Sequence, residues 1–216
     1  MTTWLVTGGA GYIGSHVVRE LLASGRDVVV YDDFSAGVEA RVPAGTPVVR
    51  ADVRDVAALA QALRDHAVDG VVHLAAKKAA GESVEIPVYY YRENVEGMIA
   101  LLEAMQAAQV RNLVYSSSAA VYGTPEANPV AEDAPLRPES PYGETKVVGE
   151  WIARDCEVIG RGVDAEVVGR RDGDPPATFA DTRLISERLG WGAALDLRAM
   201  VSSAWSAWSA RPGRAR

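Results

Sequence analysis

Cysteine is almost absent from this chain: Cys156 stands alone among 216 residues. One thiol cannot make an internal disulfide framework or a cysteine-rich metal site. Its simplest role is that of a small buried hydrophobe. Lysine is nearly as scarce. Lys77, Lys78 and Lys146 occur against a background in which arginine is the default cation, so each lysine suggests a need for a compact point charge. No run of 18 apolar residues occurs, which excludes an ordinary membrane-spanning helix. The net charge of −7 argues against a nucleic-acid surface. A strand-like run begins by residue 3 and leaves no room for a leader peptide. The length permits one good core, or one core with a small appendage. These points predict a soluble, cytoplasmic protein without nucleic-acid or membrane partners.

What is present is glycine in a particular place. Thr3 to Thr7 is a short apolar run that reads as a buried strand. Gly8-Gly9-Ala10-Gly11-Tyr12-Ile13-Gly14 follows at once, then a helical stretch to about Ala23. Gly9, Gly11 and Gly14 fit G-x-G-x-x-G, and Gly8, Gly11 and Gly14 fit a looser spacing. Such glycines let the backbone approach a pyrophosphate, whose charge meets the helix N-terminus. A second strand, Asp27 to Tyr31, ends in Asp32. A carboxylate there accepts from a ribose 2′-hydroxyl and repels a 2′-phosphate, so NAD is favoured over NADP.

Strand and helix patterns alternate along the chain. Strands are expected at about 3–7, 27–31, 46–50, 70–75 and 112–117, and helices at about 13–24, 55–66, 86–108 and 141–157. The alternation predicts an α/β protein, a Rossmann-like doubly wound parallel sheet with helices on both faces. Ligands then bind beyond the carboxyl ends of the strands. Asp52 closes the third strand, Ala75 to Lys78 the fourth and Ser116 to Ser118 the fifth, so all should share one rim. Gly123 to Pro141 has five prolines and no helical period, and reads as a loop over part of the pocket. Asp164 to Val168 is a further strand candidate, followed by helices near 181–190 and 195–209. In the last, Leu197, Met200, Val201, Ala204, Trp205 and Trp208 form an apolar stripe suited to a core or an interface. The organisation expected is a nucleotide-binding domain over 1–157 and a small, truncated substrate region over 158–216.

Tyr142 and Lys146 lie four residues apart at the start of a predicted helix, on one face of it. A phenol is a poor base at neutral pH, with a reference pKa of ~10. An ammonium one turn away favours the phenolate. The pair is therefore a proton acceptor and donor for a hydroxyl.

These stretches resemble the extended short-chain dehydrogenase/reductase superfamily, and within it the UDP-glucose 4-epimerases. The matching segments are Val-Thr-Gly-Gly-Ala-Gly-Tyr-Ile-Gly-Ser-His, Ala-Asp-Val-Arg-Asp, His-Leu-Ala-Ala-Lys-Lys-Ala-Ala-Gly-Glu-Ser-Val, Asn-Val-Glu-Gly, Ser-Ser-Ser-Ala-Ala-Val-Tyr-Gly and Pro-Tyr-Gly-Glu-Thr-Lys. Arg-Arg-Asp-Gly-Asp-Pro and Leu-Gly-Trp resume the match near the C-terminus. Against that family, the stretch around Cys156 to Asp164 is strongly shortened, which removes most of the sugar-nucleotide domain. Arg92-Glu93 before Asn94 is a second departure, because the family commonly has an amide there.

The resemblance implies a role for each matching residue. Ser118, Tyr142 and Lys146 are the catalytic set, with Ser118 on the sugar 4-oxygen and Lys146 on the nicotinamide ribose. Cofactor binding falls to Gly8, Gly11, Tyr12, Ile13, Gly14, Asp32, Asp33, Asp52, Val53, Leu74, Ala75, Ala76, Lys78, Asn94 and Ser116, with Tyr142 and Lys146. Substrate binding falls to Lys78, Ser118, Ala119, Ala120 and Tyr142, with Arg171 on the UDP diphosphate and Asp174 on the uridine ribose. Thr178 stands where the family gates pocket size. The implied activity is an NAD-dependent isomerase that inverts C4 of a UDP-sugar through a transient 4-keto sugar, serving nucleotide-sugar metabolism. The implied assembly is a homodimer. Ala119-Ala120 after Ser118 offers no acid or base, which disfavours the related dehydratases and decarboxylases. UDP-glucose/UDP-galactose and UDP-glucuronate/UDP-galacturonate both remain open, since Lys77 and Arg92 are extra cations near the site. The alternatives are a non-catalytic NAD-binding partner protein, or another NAD-dependent sugar-nucleotide oxidoreductase.

Overall fold

The structure is a computed structural model that describes residues 2–158, 164–167, 180–196, 198–200 and 202–203. Six parallel strands form one sheet: β1 Thr3–Thr7, β2 Asp27–Tyr31, β3 Val48–Val49, β4 Gly70–His73, β5 Asn112–Tyr115 and β6 Asp164–Val167. Their order is β3-β2-β1-β4-β5-β6. The order reverses between β1 and β4, which opens a crevice at the carboxyl end of these two strands.

The strands are hydrophobic at successive positions because both faces are covered. Side chains alternate across the sheet. Leu5, Val29 and Val71 pack on one face with Leu59, Leu63, Met98, Leu101 and Met105. These come from helices α2 (Val56–Asp65) and α5 (Gly97–Ala108). Val6, Val28, Val30 and Val72 turn to the other face and meet Val18 of α1 (Tyr12–Ala23). The register sets Leu5 beside both Val29 and Val71. Helix α2 starts where Asp55 accepts a hydrogen bond from Ala58 N–H at 3.0 Å, a capping arrangement that satisfies an otherwise orphan donor.

The expected helix 86–108 is subdivided. It comprises α4 (Pro87–Tyr91), a π turn at Arg92–Glu96 and α5, preceded by the short helix α3 (Ala80–Glu85). Helix α6 runs Pro141–Val158 and α7 Arg183–Leu189. Strands β3, β4 and β5 are shorter than the expected 46–50, 70–75 and 112–117, although single backbone hydrogen bonds, such as Leu74 N–H to Thr7 C=O at 3.1 Å and Ser116 N–H to His73 C=O at 3.1 Å, continue past their ends. Strand β6 pairs with β5, so this part of the segment beyond residue 157 belongs to the main sheet. The segment 123–140 is a loop, as its prolines imply. Its Val130 and Asp181 share a backbone hydrogen bond of 2.8 Å. Of the apolar stripe, Leu197, Val201, Ala204, Trp205 and Trp208 lie outside the described residues, and Met200 is exposed.

Candidate active site

A cleft of about 620 Å³ opens at the carboxyl edge of the sheet, over the β1–β4 crevice. That size is within the range of small-molecule sites. Its floor is the turn from β1 into α1. Gly8 N–H donates to Tyr31 C=O at 2.8 Å, and Gly11 N–H to Gly8 C=O at 3.0 Å. A Cβ at position 14 would lie 2.1 Å from Gly8 C=O oxygen, so the turn closes this tightly only with glycine there. The close turn brings the start of α1, Tyr12 and Ile13, to the cleft wall. Its backbone amides and dipole suit an anion.

Two carboxylates stand beside this floor. Asp32 at the end of β2 is buried. It accepts from Ala10 N–H at 3.0 Å and from Phe34 N–H at 2.8 Å. An ionised carboxylate has about four acceptor positions, so two remain for hydroxyls of a ligand. Asp52, after β3, accepts a bidentate bond from Arg54, with Nη2 to Oδ2 at 2.5 Å and Nε to Oδ1 at 3.0 Å. The side-chain hydrogen bond from Arg54 is the main reason that the Asp52 carboxyl sits below its ordinary pKa.

The opposite wall carries Lys146 and Tyr142. Lys146 on α6 is buried to 4% exposure, donates to Ser116 C=O at 2.8 Å and lies 4.9 Å over the Tyr115 ring. Tyr115 stacks on His73 at 5.9 Å. His73 is enclosed, and burial first, with the Lys146 charge second, pushes its pKa down to about 3. The Thr7 hydroxyl oxygen accepts from Leu74 and Ala75 N–H at 3.2 and 3.3 Å, and lies 2.7 Å from His73 Nδ1. With both lone pairs taken, the hydroxyl proton goes to Nδ1, and the neutral ring carries its proton on Nε2. His73 is thus a fixed support beneath Lys146.

Tyr142 is buried against Tyr90 and Ala120. Its N–H donates to Ser83 Oγ at 3.1 Å, and its carbonyl accepts from Thr145 Oγ1 at 2.7 Å. Ser118 caps the short turn Ala119–Tyr122 by accepting from Ala120 N–H at 3.2 Å. A Cβ on Gly143 would lie 2.6 Å from Ala120 C=O oxygen. The absence of that carbon lets the first turn of α6, with Tyr142, press against the turn that follows Ser118.

The cleft wall includes Gly8, Gly11, Tyr12, Ile13, Gly14, Asp32, Asp33, Asp52, Val53, Leu74, Ala75, Ala76, Lys78, Ser116, Tyr142 and Lys146. Ser118, Ala119 and Ala120 are buried behind it, beside Tyr142. Asn94 is not on the wall. It is buried, accepts from Lys77 N–H at 2.8 Å, and donates to Lys77 C=O at 2.9 Å and to Thr145 Oγ1 at 3.0 Å. Asn94 therefore braces the β4 loop against α6 from below. Residues 124–140 contribute nothing to the wall, contrary to the expected cover. Arg171, Asp174 and Thr178 lie outside the described residues. The wall also holds Ser35, Ala36, Gly37, Arg41, Lys77 and Glu93. Adjacency to Asp32 could have revealed the first three. Lys77 Nζ donates to Ser35 Oγ at 3.1 Å, on the Asp32 side of the cleft, and Arg92 is exposed off the wall.

Residues 4–168 match the model of the NAD dependent epimerase/dehydratase family. The chain belongs to this family. Similar family members include the UDP-glucose 4-epimerase of Lactobacillus helveticus, 49% identical over 68% of this chain and 45% of that protein. The UDP-glucose 4-epimerase of Streptomyces lividans is 50% identical over 74% of this chain and 49% of that one. This epimerase-family chain thus spans about half the length of the curated relatives it matches. Among solved structures, the Stenotrophomonas maltophila UDP-glucose 4-epimerase, with bound NAD and formylated UDP-arabinopyranose, aligns with a TM-score of 0.86 at 28% identity. That alignment covers 97% of this chain and 98% of the other. The Bifidobacterium longum enzyme, in complex with NAD+ and UDP, aligns with a TM-score of 0.73 at 36% identity, over 76% and 51% of the two chains.

Proposed function

We propose that the cleft holds NAD and that the chain carries the cofactor and proton-transfer half of a UDP-glucose 4-epimerase, an isomerase. The carrying observation is that the glycine turn with Asp32 and the Tyr142–Lys146 pair line one continuous cleft. The residues suit the dinucleotide: a glycine turn that closes tightly and brings the start of α1 to the cleft wall, and a carboxylate with two acceptor positions to spare. In this reading Gly11 to Gly14 meet the pyrophosphate and Asp32 the adenosine ribose. Asp52 and Val53 face the base, and Lys146 holds the nicotinamide ribose. When bound, NAD would supply the redox chemistry at the sugar carbon. Tyr142 accepts the 4-hydroxyl proton as phenolate and later restores it. Lys146 stabilises that phenolate. Ser118 holds the 4-oxygen.

Arg171 and Asp174 are the proposed anchors for UDP. The glucose/galactose pair is favoured over the hexuronates. The relatives are UDP-glucose 4-epimerases, and the cations that argued for a carboxylate, Lys77 and Arg92, point elsewhere. A cytoplasmic location, a homodimer and a substrate region within 158–216, apart from β6 of the main sheet, belong to the same proposal. Among the described residues no helix is long and apolar enough to cross a membrane. The test is to denature purified protein and assay the supernatant, then to incubate native protein with UDP-glucose without added NAD. Released NAD and formation of UDP-galactose are expected. Bound NADP, or no uptake of NAD at all, would overturn the cofactor assignment. NAD without turnover would favour the non-catalytic alternative.

A further inference from the structure

Glu93 is a feature of the cleft that neither the glycine turn nor the Tyr142–Lys146 pair explains. It lines the wall with its side chain 15% exposed. Asp32, Asp33 and Asp52 line the same cleft. A dinucleotide brings two more negative charges on its pyrophosphate. Like charges near an anion site oppose binding, and a partly buried one is weakly screened.

Arg54 answers this charge from both sides. One terminal nitrogen lies 2.7 Å from Glu93 Oε1. The other lies 2.5 Å from Asp52 Oδ2, and Nε reaches both Asp52 oxygens, at 3.0 and 3.2 Å. The backbone N–H of Arg54 also donates to Asp52 Oδ1 at 2.9 Å. The two carboxylates come from distant parts of the chain. Asp52 follows β3, whereas Glu93 belongs to the π turn between α4 and α5. Isolated π turns inside helices often mark functional positions. Here the turn directs Asn94 inward to the β4 loop and Glu93 to Arg54.

We propose that Arg54 is a positioning residue of the cofactor cleft: it neutralises Glu93 and holds Asp52, and thereby keeps a wall of four carboxylates receptive to an anionic dinucleotide. This rests on the reading of the cleft as an NAD site.

The experiment is calorimetric titration of the full chain with NAD, at low and high salt. Arg54→Gln should weaken NAD binding about tenfold or more at low salt, and the loss should shrink at high salt, because it is electrostatic. Adding Glu93→Gln to that variant should recover most of the loss. Glu93→Gln alone should leave affinity within about threefold. Arg54→Lys keeps the charge but loses the fork that spans Asp52 and Glu93, and should bind between the parent and Arg54→Gln. Should Arg54→Gln not fold, Arg54→Lys decides the matter: parental affinity there, or a loss that neither salt nor Glu93→Gln relieves, overturns the proposal. An Arg54→Gln variant that binds like the parent overturns it too, as does a loss that neither salt nor Glu93→Gln relieves. A parent chain that takes up no NAD instead removes the cofactor reading, and the two failures are separate.

Discussion

In the proposed reaction, Tyr142 concentrates the proton chemistry in one oxygen. The ring is buried, and the phosphate contacts proposed for the cofactor are backbone amides elsewhere. Tyr142→Phe should therefore lower turnover by about 10²–10⁴-fold, the usual size for a positioned acid–base group. NAD affinity should stay nearly unchanged, as calorimetry beside a progress curve with UDP-glucose would reveal. His73 makes a different prediction. Its folded pKa is about 3, lowered by burial and by the Lys146 charge, against about 6.5 in the unfolded chain. Between these values the unfolded state binds more protons. Stability from the neutral imidazole is complete above the upper value and is lost as pH falls toward the lower one. The slope is at most about 1.4 kcal/mol per pH unit. Urea unfolding at pH 5 to 6.5 should follow this trend, and His73→Asn should flatten it. Equal slopes in the two proteins would exclude His73 as the source.

At the scale of elements, the site depends on how closely α6 approaches the turn after Ser118. Gly143 sets that distance. An alanine there would place a methyl 2.6 Å from Ala120 C=O oxygen, and backbone must move to admit it. Overpacking of this kind costs about 1–3 kcal/mol. Gly143→Ala should lower the melting temperature. It should also reduce turnover more than it reduces NAD affinity, since it shifts Tyr142 relative to Ser118 and leaves the glycine turn alone. Thermal unfolding and calorimetry on one preparation separate the two effects. A variant with parental stability and activity would show that the approach is slack.

At the scale of the whole molecule, large apolar side chains stand exposed on three helices among the described residues. Val88 is 70% exposed on α4, Ile99 42% on α5 and Trp151 48% on α6. Large exposed apolar side chains grouped on neighbouring helices mark an interaction surface. A second copy paired through these helices, with the two-fold symmetry most common among homo-oligomers, is the expected cover. Light scattering at micromolar concentration should give twice the 23.0 kDa of one chain, and Trp151→Glu should shift the population toward monomer. A parent chain that scatters as a monomer would refute the pairing.

Much of this was legible in order along the chain. Alternating apolar runs determined the parallel sheet, because both faces of each strand must be covered. The glycine spacing with Asp32, and Tyr142 with Lys146, are local patterns readable in order, and the structure brings both to one cleft. Other features join residues remote in sequence, and tertiary structure alone decided them. Asn94 as a brace, His73 beneath Lys146, and Arg54 between Asp52 and Glu93 each require two elements to be packed before a partner exists. The division of the helix after β4 by a π turn was hidden for the same reason. Helical periodicity continues through it, and its register is settled by what Glu93 and Asn94 must reach. Local sequence determined which elements form and what chemistry they carry. Packing decided which charges cancel, and so which of those residues face the cleft.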